Sequence, residues 1–160
     1  MKLVAIVIVL AVTGFVVKGR LDQSNPPVIE HPVYAEMRVD LKEGIREINI
    51  ALFGEAVDLD DCTLRTEDTW SKVLSGCPAC EVSPAKCLEE LPPRYARLFD
   101  NVAIPSTYLA FTRGSRFERD GRMVVYGLTR EEGLAVCEQM RNSISKEDYT
   151  GTLECIAPSE

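Results

Sequence analysis

Histidine is almost missing from this chain of 160 residues, in which His31 is the only one. Serine–histidine triads and histidine-rich metal sites therefore require residues that the chain does not have. The sequence also lacks a glycine-rich phosphate loop, a serine-nucleophile motif and an evident pair of catalytic carboxylates. We therefore expect a protein that is not an enzyme and that has no cofactor or metal site.

Positive charge is in short supply as well. Lysine and arginine together number 18 against 25 acidic residues, so the net charge is −7. A surface that binds phosphates needs a cationic surplus, so nucleic acid is not an expected partner. The apolar fraction of 46% and the charged fraction of 27% are ordinary for a folded domain, and the length suits one domain.

The N-terminal apolar run is short for a membrane span. Its fifteen uncharged residues, LVAIVIVLAVTGFVV, lie between Lys2 and the basic residues Lys18 and Arg20. A membrane span uses about 20 apolar residues and a secretory h-region about 7–15. No Ala-x-Ala cleavage site follows, however. We therefore predict that residues 1–20 form an uncleaved anchor in the inner membrane, with a cleaved signal peptide as the alternative.

Six cysteines, an even number, follow the apolar run. This usage is typical of a domain that folds in an oxidising compartment. Residues 21–33 contain three prolines and are expected to form a stiff linker. We therefore place an extracytoplasmic domain, residues 34–158, in the periplasm of a bacterium. The protein is then a single-pass membrane protein, or a periplasmic or secreted one if the signal is cleaved.

Strict alternation in YAEMRVDL predicts a half-buried strand, and the apolar residues of IREINIALF predict a second strand that pairs with it in a hairpin. Asp58 is a suitable N-cap for a helix, with Asp61 three residues on. Gly76 would end that helix, and ACEV is a short strand candidate. The residues that recur at helical spacing, every three or four positions, are Leu59, Cys62, Thr66, Trp70 and Val73.

The second half repeats this order. STYLAFTRGSRFERDGRMVVYGL predicts two strands with Asp120 and Gly121 at a tight hairpin turn. TREE, Thr129–Glu132, is a capping box that opens a helix, and GTLECIA is a closing strand. A short helix in PPRYARLFDN joins the halves through Tyr95, Leu98 and Phe99. The second long helix would bury Leu134, Cys137, Met140 and Ile144.

The spacing of the cysteines agrees with an internal duplication. Cys62 and Cys80 are eighteen positions apart, and so are Cys137 and Cys155. Each interval runs from a predicted helix to the strand after it. We therefore predict an α+β fold of two ββαβ-like units with an antiparallel sheet. The predicted disulfides are Cys62–Cys80, Cys137–Cys155 and, from the two remaining cysteines, Cys77–Cys87.

The sequence Cys77-Pro-Ala-Cys80 allows two other interpretations. In the first, Cys77 is an attacking thiolate and Cys80 its resolving partner in a thiol–disulfide oxidoreductase. IPSTYLAFTRG resembles the proline-led strand of the thioredoxin family, although in that family a helix, a strand and a second helix separate the motif from the proline. In the second interpretation, Cys62, Cys77, Cys80 and Cys87 bind zinc, although only one CxxC is present.

Four arginines recur at every third position around the predicted hairpin. Such a spacing in an acidic protein predicts a local cationic patch. This patch is the expected contact site for an unknown envelope protein or an anionic envelope component. Its members are Arg113, Arg116, Arg119 and Arg122.

Several short motifs occur in a fixed order: the apolar start, DDC, GCPAC, RYARLFD and ERDGR. In these the chain resembles small membrane-anchored envelope proteins of pseudomonads and related bacteria. The resemblance spans much of the chain. It implies a location in the cell envelope, and it brings no activity and no functional residue with it.

Overall fold

A computed structural model describes residues 29–43, 46–69, 79–115, 117–144 and 149–159. The predicted anchor, most of the linker, Trp70, Gly76 and Cys77 lie outside these residues. Within them the elements are β1 (Val33–Glu43), β2 (Arg46–Ala56), α1 (Leu59–Thr69), β3 (Cys80–Leu88), α2 (Pro93–Phe99), β4 (Tyr108–Thr112), β5 (Gly121–Tyr126), α3 (Arg130–Ser143) and β6 (Thr152–Ile156). No helix in this described part is long and apolar enough to cross a membrane.

The strands form a six-stranded sheet in the order β3-β1-β2-β5-β4-β6, and every neighbouring pair is antiparallel. The predicted α+β class with an antiparallel sheet is therefore confirmed. The first hairpin also has the predicted faces, because Val39 lies opposite Ile50 and Leu41 opposite Ile48. All four of these side chains are buried on one side of the sheet.

Helices cover both sides of the sheet. On one side, Cys137 and Met140 of α3, with Ile144 directly after the helix, pack against strand residues such as Leu109 and Met123. On the same side, α1 places Cys62 against Ala35 of β1. On the opposite side, α2 buries Tyr95 and Leu98 against a second apolar cluster, which consists of Ala51, Phe53, Leu91, Tyr108, Ala110 and Val124.

The long helices begin at the predicted caps. The carboxylate of Asp58 accepts the backbone N–H of Asp61 at 2.8 Å. At the start of α3, Thr129 and Glu132 exchange both hydrogen bonds of a capping box. The guanidinium of Arg46 and the backbone N–H of Thr129 both donate to the Glu132 carboxylate, and they hold its pKa at about 2. Both predicted helix starts are confirmed.

The connection between β4 and β5 differs from the predicted tight turn at Asp120-Gly121. β4 ends at Thr112 and β5 begins at Gly121, so a loop joins them. Asp120 accepts the backbone N–H of Arg113 at 2.7 Å, and Glu118 accepts those of Gly114 and Thr150. Because carboxylates satisfy these backbone donors, the segment folds as a loop.

This loop packs tightly against the chain before β6. A side-chain carbon on Gly114 would lie 2.6 Å from the backbone nitrogen of Gly151. Atoms do not approach so closely without a shift of the backbone, so both positions require glycine. The close contact fixes the loop beside the entry to β6.

Candidate functional site

Two disulfides join a helix to the edge strand that follows it. Cys62 of α1 bonds to Cys87 of β3, and Cys137 of α3 bonds to Cys155 of β6. The helical cysteine of each bridge is buried, Cys62 completely. Since β3 and β6 are the outermost strands, each bridge fastens one edge of the sheet to the helix above it.

The Cys137–Cys155 pairing was predicted and is confirmed, whereas the predicted Cys62–Cys80 and Cys77–Cys87 pairings are wrong. The register of β3 against β1 explains the difference. Cys87 lies opposite Ala35, which contacts Cys62, while Cys80 lies opposite Leu41 at the other end of β3. Cys80 and Cys87 are seven positions apart along this strand, a distance of about 20 Å. Only Cys87 is within reach of Cys62.

The Cys62–Cys87 bridge also removes one interpretation of the cysteines. A four-thiolate zinc site would need the thiolates of both residues, and each is consumed by the disulfide. Cys80 is disulfide-bonded as well. Cys77 lies outside the described residues. In the described part of the chain no cluster of histidine, cysteine or acidic residues is arranged to hold a metal ion.

The segment that resembles the thioredoxin family lacks the elements that precede it in that family. Pro105 precedes β4, as in the proline-led strand of that family. Between Cys80 and Pro105, however, the chain forms one strand, β3, and one short helix, α2. A helix, a strand and a second helix would be expected there. The likeness is therefore confined to the segment around β4.

Arg122, one of the four predicted contact residues, is buried with only 3% of its surface exposed. Its guanidinium donates to the carbonyls of Leu98 and Phe99 at the end of α2, and to those of Phe111 and Gly121. It also lies 4.8 Å from the centre of the Phe99 ring. Burial lowers the pKa of Arg122, and the charge of neighbouring Asp120 opposes that shift. Arg122 therefore holds α2 on the sheet.

Arg119 is also buried. Its Nε lies 3.1 Å from Asp61 Oδ2, and its Nη1 donates to the carbonyl of Glu118. Arg113 is half-buried and Arg116 lies outside the described residues. The prediction that these arginines form one exposed anionic-partner site is therefore corrected for Arg119 and Arg122. The spacing of three predicted a local cationic patch, but these two side chains turn inward to satisfy carbonyl and carboxylate oxygens.

Asp61, in the first turn of α1, connects this helix to the loop between β4 and β5 through its ion pair with Arg119. Burial alone would raise the pKa of Asp61, but the backbone N–H of Val57 and the guanidinium groups of Arg65 and Arg119 outweigh it and lower the pKa. Arg65 Nε lies 2.7 Å from the Asp61 carboxylate. Asp61 is therefore an anchor for two arginines as well as part of a helix start.

Glu55 lies half-buried on β2 beside the same loop, where its backbone N–H donates to the carbonyl of Asp120. Burial raises the pKa of Glu55, and the charge of Asp120 raises it further. Arg113, Arg122 and Arg119 act in the opposite direction without cancelling the rise. The ionised carboxylate is thus less favourable in the folded protein than in the unfolded chain.

We expect Glu55→Gln to stabilise the fold at neutral pH. A carboxyl with a raised folded-state pKa stabilises the fold below its unfolded pKa, and this contribution is lost as the pH rises through the folded value. Urea unfolding of wild type and Glu55→Gln at pH 4 and pH 7 measures the difference. The gain should be larger at pH 7. Equal differences at both pH values would contradict the raised pKa, and Glu47→Gln, at an exposed position on β2, is the control.

A cleft between α1 and β3 is open to solvent and has a volume of about 980 Å³. Sequence reasoning missed it. The signal that could have found it is Leu64, which falls outside the predicted apolar stripe of α1 and is 61% exposed. The cleft is lined by Met37, Thr63, Leu64, Thr66, Glu67, Asp68, Val82, Ser83, Pro84, Ala85 and Cys87.

A second polar cluster lies on the opposite side of the sheet. Arg38 of β1 donates to Glu36 and to the hydroxyl of Tyr95 in α2, and its guanidinium lies 5.0 Å from the Tyr95 ring centre. Arg94 contacts the same ring at 4.4 Å. These contacts attach α2 to β1, so we assign the cluster a structural role.

Comparisons of the chain with protein-family models, curated proteins and solved structures returned no match. No residue role is therefore carried over from a relative.

Proposed function

We propose that the protein is a non-catalytic envelope module that binds a protein or another envelope component. In this proposal residues 1–20 tether it to the inner membrane, residues 21–33 form a linker, and residues 34–158 lie in the periplasm. One observation carries the proposal: every described cysteine is disulfide-bonded. Stable disulfides form and persist outside the cytoplasm, where small domains use them to hold their fold together.

We further propose that the domain arose by internal duplication of a ββαβ unit. Support comes from the sheet order, in which β3-β1-β2 and β6-β4-β5 run inward from the two edges to the same central contact. The register adds to it, since Cys87 lies opposite Ala35 in the first half and Cys155 opposite Leu109 in the second. In each half the disulfide runs from the helix to the third strand.

A reporter fusion tests the location. Alkaline phosphatase needs its own disulfides, so a fusion to the C-terminus is expected to be active when the domain is exported. The same fusion without residues 1–20 is the control and should be inactive. Equal activity of both fusions would contradict export. The mass of the exported protein without its fusion partner then separates the alternatives, because a retained anchor leaves the full 17.8 kDa chain and a cleaved signal leaves a shorter one.

The pairing of the four cysteines in the two described disulfides favours one alternative function. Because Cys62 bonds to Cys87 and Cys137 to Cys155, neither cysteine of Cys77-Pro-Ala-Cys80 takes part in these two disulfides. Cys80 is disulfide-bonded and half-buried at the start of β3. In this alternative a substrate dithiol would reduce a Cys77–Cys80 disulfide by two electrons and would itself become a disulfide. A thiol–disulfide oxidoreductase is therefore the second candidate.

Exchange with glutathione separates the two candidates. A structural module is expected to keep all its disulfides in a buffer of reduced and oxidised glutathione poised near the periplasmic potential. An oxidoreductase would instead equilibrate Cys77 and Cys80 with that buffer within minutes. Alkylation followed by peptide mass mapping reads the two cysteines directly. Rapid, reversible labelling of Cys77 and Cys80 alone, with none in the Cys77→Ser, Cys80→Ser variant, would replace the binding proposal with the enzymatic one.

A further inference from the structure

The open surface beside α1 is acidic, in contrast to the cationic patch predicted from the arginines. The helix and its cap contain five acidic residues and a single basic one, Arg65. Arg65 is already paired with Asp61 and donates to the carbonyl of Phe117. The acidic residues are Asp58, Asp60, Asp61, Glu67 and Asp68.

The floor of the cleft is apolar although its rim is charged. Met37 and Val82 contribute from β1 and β3, and Leu64 contributes from α1. Leu64 is 61% exposed, the largest fraction among the exposed large apolar side chains of the described residues. Glu67 and Asp68 follow Leu64 by three and four positions, so they lie on the same side of the helix. An apolar floor with carboxylates at one rim suits a ligand that is apolar at its centre and cationic at its flanks.

The edge strand limits how a partner can use this cleft. The register of β3 shifts opposite Met37, which leaves both Pro84 and Ala85 against that one residue. A bulge and a proline on an edge strand discourage pairing with an added strand, since proline has no N–H to donate. A ligand is therefore expected to insert side chains into the cleft and not to extend the sheet.

We propose that this cleft binds a peptide segment of a partner protein in which an apolar side chain is flanked by lysine or arginine. The apolar side chain packs on Leu64 and Val82, and a flanking cation lies against Glu67. The cleft volume of about 980 Å³ accommodates several side chains. The inference rests on the proposed binding function and names the site and the chemistry of the partner.

Fluorescence anisotropy of the full chain with a labelled peptide tests this proposal. The probe is a peptide with one central leucine between lysine pairs, and two matched probes replace lysine by glutamate or leucine by serine. Two cleft variants are used, Glu67→Lys and Leu64→Ser. Glu154→Lys is the matched control, because it makes the same change of net charge at an exposed position on the opposite edge of the sheet.

Only the lysine–leucine probe is expected to bind wild type well. We expect Glu67→Lys to weaken it by about tenfold or more, Leu64→Ser by several-fold, and Glu154→Lys by less than about twofold. Equal weakening by Glu67→Lys and Glu154→Lys would mean that only net charge matters, and the proposal would be wrong. Equal binding of the three probes by wild type would overturn the proposal as well.

Two measurements exclude other occupants of the cleft. If residues of the chain itself fill it, Leu64→Ser should lower Tm markedly, whereas an exposed leucine in an open cleft should change it by no more than about 2 °C. If a second copy fills it, Leu64→Ser should dissociate a dimer in analytical ultracentrifugation. Either result would overturn the peptide assignment. Neither would affect the reporter fusion or the glutathione exchange, so failure of this inference is distinct from failure of the proposed function.

Discussion

Arg122→Leu is expected to lower the free energy of unfolding by about 3–5 kcal/mol, the largest loss from a single substitution proposed for this chain. The guanidinium donates to four backbone carbonyls and is almost fully buried. Leucine fills part of the volume but donates nothing. The carbonyls of Leu98 and Phe99 would then lose their donor at the buried end of α2, where water has little access.

Urea unfolding at pH 7 measures the loss, and Arg122→Lys refines it. Lysine keeps the charge but cannot spread its donors over four carbonyls as a planar guanidinium does, so we expect an intermediate loss. Arg130→Ala is the control, since Arg130 is exposed in the first turn of α3, and it should change stability by less than about 0.5 kcal/mol. A loss below about 1 kcal/mol for Arg122→Leu would show that other donors or water replace the guanidinium.

The second large effect is expected from the disulfides. Replacing both Cys137 and Cys155 by alanine should cost about 3 kcal/mol, because the bridge closes a loop of 18 residues. Removing the Cys62–Cys87 bridge should cost about as much, since its loop spans 25 residues. If Cys77 and Cys80 bond to each other, as the oxidoreductase alternative requires, replacing both should cost only about 1.5 kcal/mol, because a bridge across three positions constrains the unfolded chain far less.

Urea unfolding of the three double variants, expressed in the periplasm, tests this order. Single variants are avoided, because each would leave an unpaired thiol that can exchange with other bridges. A loss for the Cys77 and Cys80 variant as large as for the other two would contradict its minor structural role. It would also weaken the case for a redox function, since a bridge that the fold needs cannot be opened in each turnover.

Much of the architecture is readable from local pattern. The alternation of Ala35, Met37 and Val39 places one face of β1 in the core, and the capping box at Thr129 marks the start of α3 within a residue. Such features depend on neighbours a few positions apart, so a sequence reports them directly.

The features that sequence reasoning missed depend on distant residues. Cys62 pairs with Cys87 because β3 is nine residues long and runs antiparallel to β1, which places Cys87 and not Cys80 beside the helix. The sequence predicted only the short strand ACEV, in which Cys80 would lie beside the helix. Arg122 is buried because α2 ends above it with carbonyls that need a donor, more than twenty positions earlier in the chain. Neither the length of a strand nor the position of a helix end over a sheet is encoded in the spacing of cysteines or arginines.

The placement of the two disulfides at the edge strands affects the conditions under which the chain can fold safely. Before oxidation, β3 and β6 are held only by strand pairing and a few helix contacts, and losing either would expose β1 or β4 as a new edge. Those inner strands are rich in apolar side chains and carry no protective proline, so as free edges they would pair with other chains. Formation of the two disulfides fastens the sheet at both edges. A chain that folded in a reducing environment would lack this protection and would be more prone to aggregate.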